Sequence, residues 1–341
     1  MSRGWAIGLG AAEGLLALLS IAAIALAAGC RSHIILGDPD SGVTPDSGPV
    51  VVPPRCTGDP SRAIVTVADA SLGEFRGMVA GGGTIHALFA GATGEGVLAR
   101  VPTTGGVLTP IANVGLDPSS IAISADSAFV FVAARGSAQV FRVDSQGTVV
   151  IASAFGAPAA VADDGHGGAF WTLPSNDTVF GFDFASASPK AIVTSPRALS
   201  LVRNANTLYI GGFQLLSAYE LGRDAAPRKI ADRCGAGAPA VDGQVLYCAD
   251  AATIVRIDLA SGVAAPVAEA QYGARDLVRG AGRVFWRTAP TPAQTLMMAL
   301  PLDGIGGPTL IESSGAGPLL LAIEGCDLYF TAGRSIIRRS L

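Results

Sequence analysis

Reactive side chains are few along this 341-residue chain and stand far apart. The one segment that sets carboxylates beside an imidazole is Asp163-Asp164-Gly165-His166-Gly167-Gly168, and both are ligand types of hydrolytic metal centres. The same composition makes a tight hairpin, because Asp and Gly supply the positive φ angles such turns require, and a metal would need further ligands from elsewhere. The segment is expected to be a turn. His33, His86 and the five cysteines fall in no Cys-x-x-Cys or His-x-x-x-His spacing, which leaves little material for a zinc centre or a histidine-based triad. A Gly-x-Ser-x-Gly elbow, a P-loop, a dinucleotide fingerprint behind a strand and His-Glu-x-x-His are also absent. No catalytic residue, metal or cofactor is expected. What remains is a set of arginines: Arg76, Arg197 and Arg275, the last followed by Asp276. Gathered on one rim, three guanidinium groups would bind a carboxylate, phosphate or acidic sugar; left apart, they are solvated charges.

The elements that would gather them are short strands. Past residue 62 the chain is a series of apolar segments bounded by Gly, Pro, Asp or Ser, with a period of two and no long amphipathic helical stretch. An aromatic recurs in one strand of each group: Phe89, Phe131, Trp171, Tyr209, Tyr247, Trp286 and Tyr329, spaced 38 to 43 residues apart. A repeat of about forty residues, each worth four strands, indicates a β-propeller blade, and residues 62–341 hold seven of them. The seven aromatics are expected to pack blade against blade.

An inner strand precedes each aromatic strand, often led by Pro, as in PSSIAIS from 118 and PRALSLV from 196. A third strand carries Arg after two apolar residues, at Arg100, Arg142, Arg256 and Arg338, and an outer strand follows a tight turn. QLLSAYEL and AQTLMMAL, in the fourth and sixth units, could instead pass for helical turns. The seventh unit ends after its third strand. AIVTVAD at 63–69 belongs to no unit of its own and is expected to supply the missing outer strand, closing the ring and removing an open sheet edge. The fold class is all-β, a seven-bladed propeller closed by its N-terminal strand. Arg76, Arg197 and Arg275 then fall at the start of inner strands, around one mouth of the central channel.

Composition bounds the function. Half the residues are hydrophobic and 15% are charged, with a formal charge of −4, so the chain can bury a large core and is not disordered throughout. Lys190 and Lys229 are the only lysines, and the arginines form no run. Nucleic acid is excluded as a partner.

Residues 14–28 are an apolar run of fifteen with one Ser, shorter than the roughly 20 residues of a membrane span. The run leads into Leu26-Ala27-Ala28-Gly29-Cys30, which resembles a bacterial lipobox. The resemblance implies a signal peptide over 1–29 and lipidation of Cys30; the alternative is an uncleaved anchor with a chance cysteine, and both place residues 31 onward outside the cytoplasm. Residues 30–61 hold the Pro-, Gly- and Asp-rich run GDPDSGVTPDSGPVVVPP, a solvated tether. Arg31 in place of Asp resembles the outer-membrane sorting pattern of some Gram-negative bacteria. The expected address is the cell envelope, at the periplasmic or surface face.

The Pro-led inner strand, LYW-like aromatic strand, Arg-bearing strand and DG turn of LPLDG (300–304) resemble YWTD and NHL-like propellers, and more closely the lipoprotein propellers of unknown function of Gram-negative bacteria. The YWTD Asp is missing from every aromatic strand except for Asp250 after LYCA, so its inter-blade contacts do not transfer. The function expected is a binding or scaffold module for an envelope or extracellular protein or glycan, held to the membrane by its lipid. The alternative is a propeller enzyme of lactonase or lyase type with metal at the channel mouth, where the aligned positions offer one Asp and no His.

Four cysteines remain beyond Cys30, and an even number in an oxidising compartment suggests two disulfides with three possible pairings. Blade placement favours Cys56 with Cys326, at one edge of the closing blade, and Cys234 with Cys248, closing a short loop worth about 3 kcal/mol.

Overall fold

The computed structural model describes residues 56, 65–69, 71–153, 156–183, 187–212, 215–223, 225–232, 234, 237–302, 306–315 and 319–341. The leader, Cys30 and nearly all of the tether lie outside the described residues. All described residues belong to one compact unit, Pro53–Leu341.

The period-two segments fold as seven four-stranded antiparallel sheets, a seven-bladed β-propeller. The inner strands are Glu74–Gly81, Pro118–Ile123, Val161–Asp163, Ala198–Asn204, Ala240–Asp242, Arg275–Gly280 and Leu321–Glu324, in blades 1 to 7. The shortest two, in blades 3 and 5, follow Pro158 and Pro239. The segments that could have passed for helix are strands Leu215–Glu220 and Gln294–Pro301. A 3-10 turn at Pro174–Asn176 is the one helical element among the described residues.

Each blade has two faces to bury. The second strands, Thr84–Ala90, Val130–Ala134, Ala169–Leu173, Thr207–Gly212, Val245–Asp250, Arg283–Thr291 and Asp327–Ala332, therefore alternate apolar side chains toward the preceding and the following blade. Among the described residues a buried cluster fills each of the seven blade interfaces. All seven recurring aromatics are buried, but they do not share one direction. Tyr209, Tyr247 and Tyr329 pack toward the following blade, whereas Phe89, Trp171 and Trp286 pack toward the preceding one. In blades 4 to 7 one register position faces the following blade. Tyr209, Tyr247, Phe285 and Tyr329 each pair with the inner-strand residue two before the end of its ladder, and in blade 1 that position belongs to His86, opposite Val79.

Closure follows the expected route. Val65–Asp69 pairs antiparallel with Ser335–Ser340, completing blade 7, with a bulge between Thr66 and Ala68. Val67 and Ala68 enter the interface between blades 7 and 1. Cys56 is bonded to Cys326, Cα to Cα 5.5 Å, across 270 residues of sequence, and the Leu341 amide donates to the Cys326 carbonyl at 2.8 Å. Both ends of the ring thus meet at one hairpin of the last blade. Cys234 is bonded to Cys248 within the interface of blades 4 and 5.

Candidate functional site: the central channel

A propeller has two unlike faces. On one, the outer strand of each blade crosses over to the inner strand of the next; on the other lie the hairpins joining inner to second strands. The inner strands run from the crossover face to the hairpin face and wall the channel between them. A cavity of about 890 Å³ follows the inner strands of blades 2, 3 and 4 and reaches the start of the inner strand of blade 6. A second, of about 350 Å³, lies against the inner strands of blades 1, 5, 6 and 7. Ile123, Val202 and Ala238 line both, so the two form one bore.

The bore is chemically two-sided. The larger part is lined by Arg135, Arg203, Arg275 and Arg287, by Asp163 and Asp276, and by Ser119, Ser120 and Ser200. The smaller part is lined mostly by Met78, Val79, Leu277, Val278, Leu321 and Ile323. Most of the charges are paired. Arg287 Nε contacts Asp276 Oδ2, Arg203 Nη1 lies 3.9 Å from Asp163 Oδ2, and Arg135 Nε lies 3.8 Å from Asp117 Oδ2. Arg275 has no ion-pair partner among the described residues; its Nε reaches only the Gly273 carbonyl, at 3.5 Å. Ser119 donates to the carbonyls of Ala133 and Pro158. Ser200 is 6% exposed, and its Oγ has no hydrogen-bond partner.

Of the arginines singled out in the sequence, Arg275 lines the bore together with Asp276. Arg76 lies outside that lining and pairs with Glu74 at 3.1 Å, both exposed. Arg197 also lies outside it, in the turn before the inner strand of blade 4, at φ 46° and with its amide donating to Asp177 Oδ1 at 2.7 Å. Backbone bulges set these positions apart. They shift the register between Phe75 and Gly77, Pro118 and Ser120, Ala198 and Ser200, and Arg275 and Val278. In blades 1, 2 and 4 the residue left unpaired is Arg76, Ser119 or Leu199, so Leu199 and not Arg197 corresponds to Arg76. An extra unpaired residue cannot be counted from apolar patterning alone.

Two arginines outside that set carried a signal of their own in the sequence. Leu201-Val202-Arg203 and Leu277-Val278-Arg279 repeat at the ends of two inner strands. Each arginine reaches a carboxylate of the preceding blade, Asp163 for Arg203 and Asp242 for Arg279. Asp164 serves the backbone instead. Its Oδ1 accepts the amides of His166, at 2.7 Å, and Gly168, at 2.8 Å. With Gly165 and Gly167 at positive φ, the segment is a hairpin turn. Among the described residues no three His, Cys, Asp or Glu side chains are grouped to hold a metal.

No family model matches the chain, and no curated protein is similar to it in sequence. Solved structures are similar in fold. Virginiamycin B lyase from Staphylococcus aureus superposes with a TM-score of 0.66 at 14% identity, over 82% of this chain and 98% of that one. A chain of the nidogen/laminin complex gives 0.52 at 16% identity, over 69% and 94%. One of the mitotic checkpoint complex gives 0.59 at 13% identity, over 82% and 94%. These solved propellers include an enzyme and members of protein complexes, and at such identities the likeness establishes the fold alone.

Proposed function

We propose that this chain is a binding module, exported to the cell envelope, held there by a lipid on Cys30, and presenting its crossover face to a protein partner. The observation that carries the reading is the make-up of that face. Tyr272 is 59% exposed, Leu116 48% and Leu199 43%, and Arg135 and Arg275 stand at the channel mouth on the same side. Aromatic residues and arginine on an exposed surface are the composition of protein interfaces and of their energetic centres. Cys56, fixed to the last hairpin, ties the N-terminal end of the propeller to the opposite face. A tether entering there leaves the crossover face free, and the apolar run ahead of Cys30 with Arg31 behind it supports an outer-membrane address. Propellers of this fold in the nidogen/laminin and mitotic checkpoint complexes support a protein partner in general terms.

In the lyase or lactonase reading, the channel mouth supplies metal-binding carboxylates. The two that line the bore, Asp163 and Asp276, are each paired with an arginine, which favours binding over that chemistry. Elemental analysis of the purified protein is the direct comparison, and a stoichiometric divalent metal would reverse the ranking. The binding reading is tested by cross-linking the full chain in intact envelopes, wild type against Tyr272→Ala. A partner whose capture falls at least tenfold in the folded variant supports it; equal capture removes the crossover face as the interface.

A further inference from the structure

The channel itself carries a chemistry beyond a protein-binding face. Its two parts, about 890 and 350 Å³, match the size of small-molecule sites, and their linings differ in kind. On the polar side every lining carboxylate faces an arginine, and Arg135 faces Asp117. Arg275 is left as the lining cation without an ion-pair partner among the described residues. Two hydroxyls add donor capacity. Ser200 Oγ is buried and unpartnered, and Ser120 Oγ accepts the Val161 amide at 3.2 Å, which leaves its own proton to give. The opposite wall offers the half-buried Val79, Val278 and Ile323, backed by Met78, Leu277 and Leu321 in the blade interfaces, with Arg279, paired with Asp242, beside them.

We propose that the channel binds an amphipathic monocarboxylate, with the carboxylate at Arg275 on the crossover side and the aliphatic body along the wall of blades 1, 6 and 7. A single negative charge complements the single unpaired guanidinium, and a planar carboxylate suits its fork of donors. A dianion such as phosphate would bring a second charge to a lining whose other arginines are already paired with carboxylates. An uncharged lipid would leave Arg275 and Ser200 without partners, and a cation would face Arg275 directly.

The test is calorimetric titration of the full chain in lipid nanodiscs, with empty discs as reference. Octanoate, butanoate, octan-1-ol and octylammonium are the probes. Octanoate is expected to bind saturably at one site, and the other three at least tenfold more weakly. Arg275→Gln is expected to weaken octanoate at least tenfold and Ser200→Ala severalfold, with Lys229→Gln, on the outer strand of blade 4, unchanged. No saturable octanoate binding by folded protein overturns the proposal. Octan-1-ol binding as tightly as octanoate removes the carboxylate site, and butanoate doing so removes the apolar wall. Tyr272→Ala is expected to leave octanoate binding intact, so failure here and failure of the protein-partner reading are told apart.

Discussion

Arg203, on the inner strand of blade 4, places its Nη1 3.9 Å from Oδ2 of Asp163, on the inner strand of blade 3. The pair bridges two blades at the hairpin-side end of the channel, and Arg279 with Asp242 repeats it between blades 6 and 5. Burial is the largest influence on Asp163 and raises its pKa above the ordinary 3.8; Asp164 adds to the rise, while amide hydrogen bonds and Arg203 oppose it. The folded protein therefore holds that proton more tightly than the unfolded chain. The associated stability is complete below pH 3.8 and declines as pH rises through the raised value. Asp163→Asn is expected to flatten this decline in urea denaturation followed from acid to neutral pH. Arg203→Met, which strands the carboxylate, is expected to lower stability at pH 7 by about 1 to 3 kcal/mol. An unchanged pH slope in Asp163→Asn would show that the group titrates as in the unfolded chain.

His86 provides a contribution of opposite sign. It occupies the blade 1 position that holds Tyr or Phe in blades 4 to 7, and its Nδ1 is buried without a partner. Burial first, and then the charge of Arg100, lower its pKa from 6.5 to about 4. Arg100 stands opposite it on the neighbouring strand, and Asp144 of blade 2 lines the same inter-blade pocket. A histidine held neutral stabilises the fold above pH 6.5, and this stability is lost as pH falls toward 4, a term on the order of 2 to 3 kcal/mol. His86→Phe, restoring the aromatic of the other blades, is expected to remove that loss, so that the variant exceeds wild type in stability at pH 5. The same change in denaturation midpoint between pH 5 and 7.5 in wild type and in His86→Phe would exclude a titrating His86.

The clasp between Cys56 and Cys326 closes a loop of nearly the whole propeller. Cross-linking so long a loop restricts the unfolded chain strongly, on the order of 2 to 5 kcal/mol in measured cases. Cys56→Ser with Cys326→Ser is expected to lose an amount in that range. Hydrogen exchange is expected to quicken first in the paired strands Val65–Asp69 and Ser335–Ser340, because local opening there no longer works against the bond. If those amides keep wild-type protection, the closing strand holds without its clasp.

Where the sequence was legible and where it was not depends on how local each feature is. The strand period, the forty-residue repeat and the spare strand at 63–69 are local patterns, and together they specify seven blades and the partner of the closing strand. Cys56 and Cys326 followed from that placement. Facing and register did not. Phe170 and Trp171 are both large and buried, and only the ladder tells which meets blade 4 and which meets blade 2. The bulges at Arg76, Ser119 and Leu199 displace the starts of inner strands by one residue, which separates Arg197 from the rim position its spacing suggested. The Leu-Val-Arg repeat was visible, but its carboxylate partners lie on other blades, some forty residues away.

Glycine near the axis sets how closely neighbouring inner strands approach. A Cβ on Gly77 would stand 2.6 Å from Cγ2 of Ile121 in blade 2, and one on Gly280 would collide with Ile323 of blade 7 in the same way. The side chain is absent where the next blade's isoleucine fills the space, so these glycines act through packing; neither is among the glycines at positive φ. Gly77→Ala is expected to cost about 1 to 3 kcal/mol through overpacking. Ile121→Ala alone is expected to cost about 2 to 5 kcal/mol as a cavity. Because the added methyl of one variant enters the space vacated by the other, the double variant is expected to be more stable than the sum of the single losses predicts, by at least about 0.5 kcal/mol. Urea denaturation of the four proteins measures that coupling. Strict additivity would mean that the inner strands of blades 1 and 2 can separate without cost, and that glycine at position 77 does not set the width of the channel.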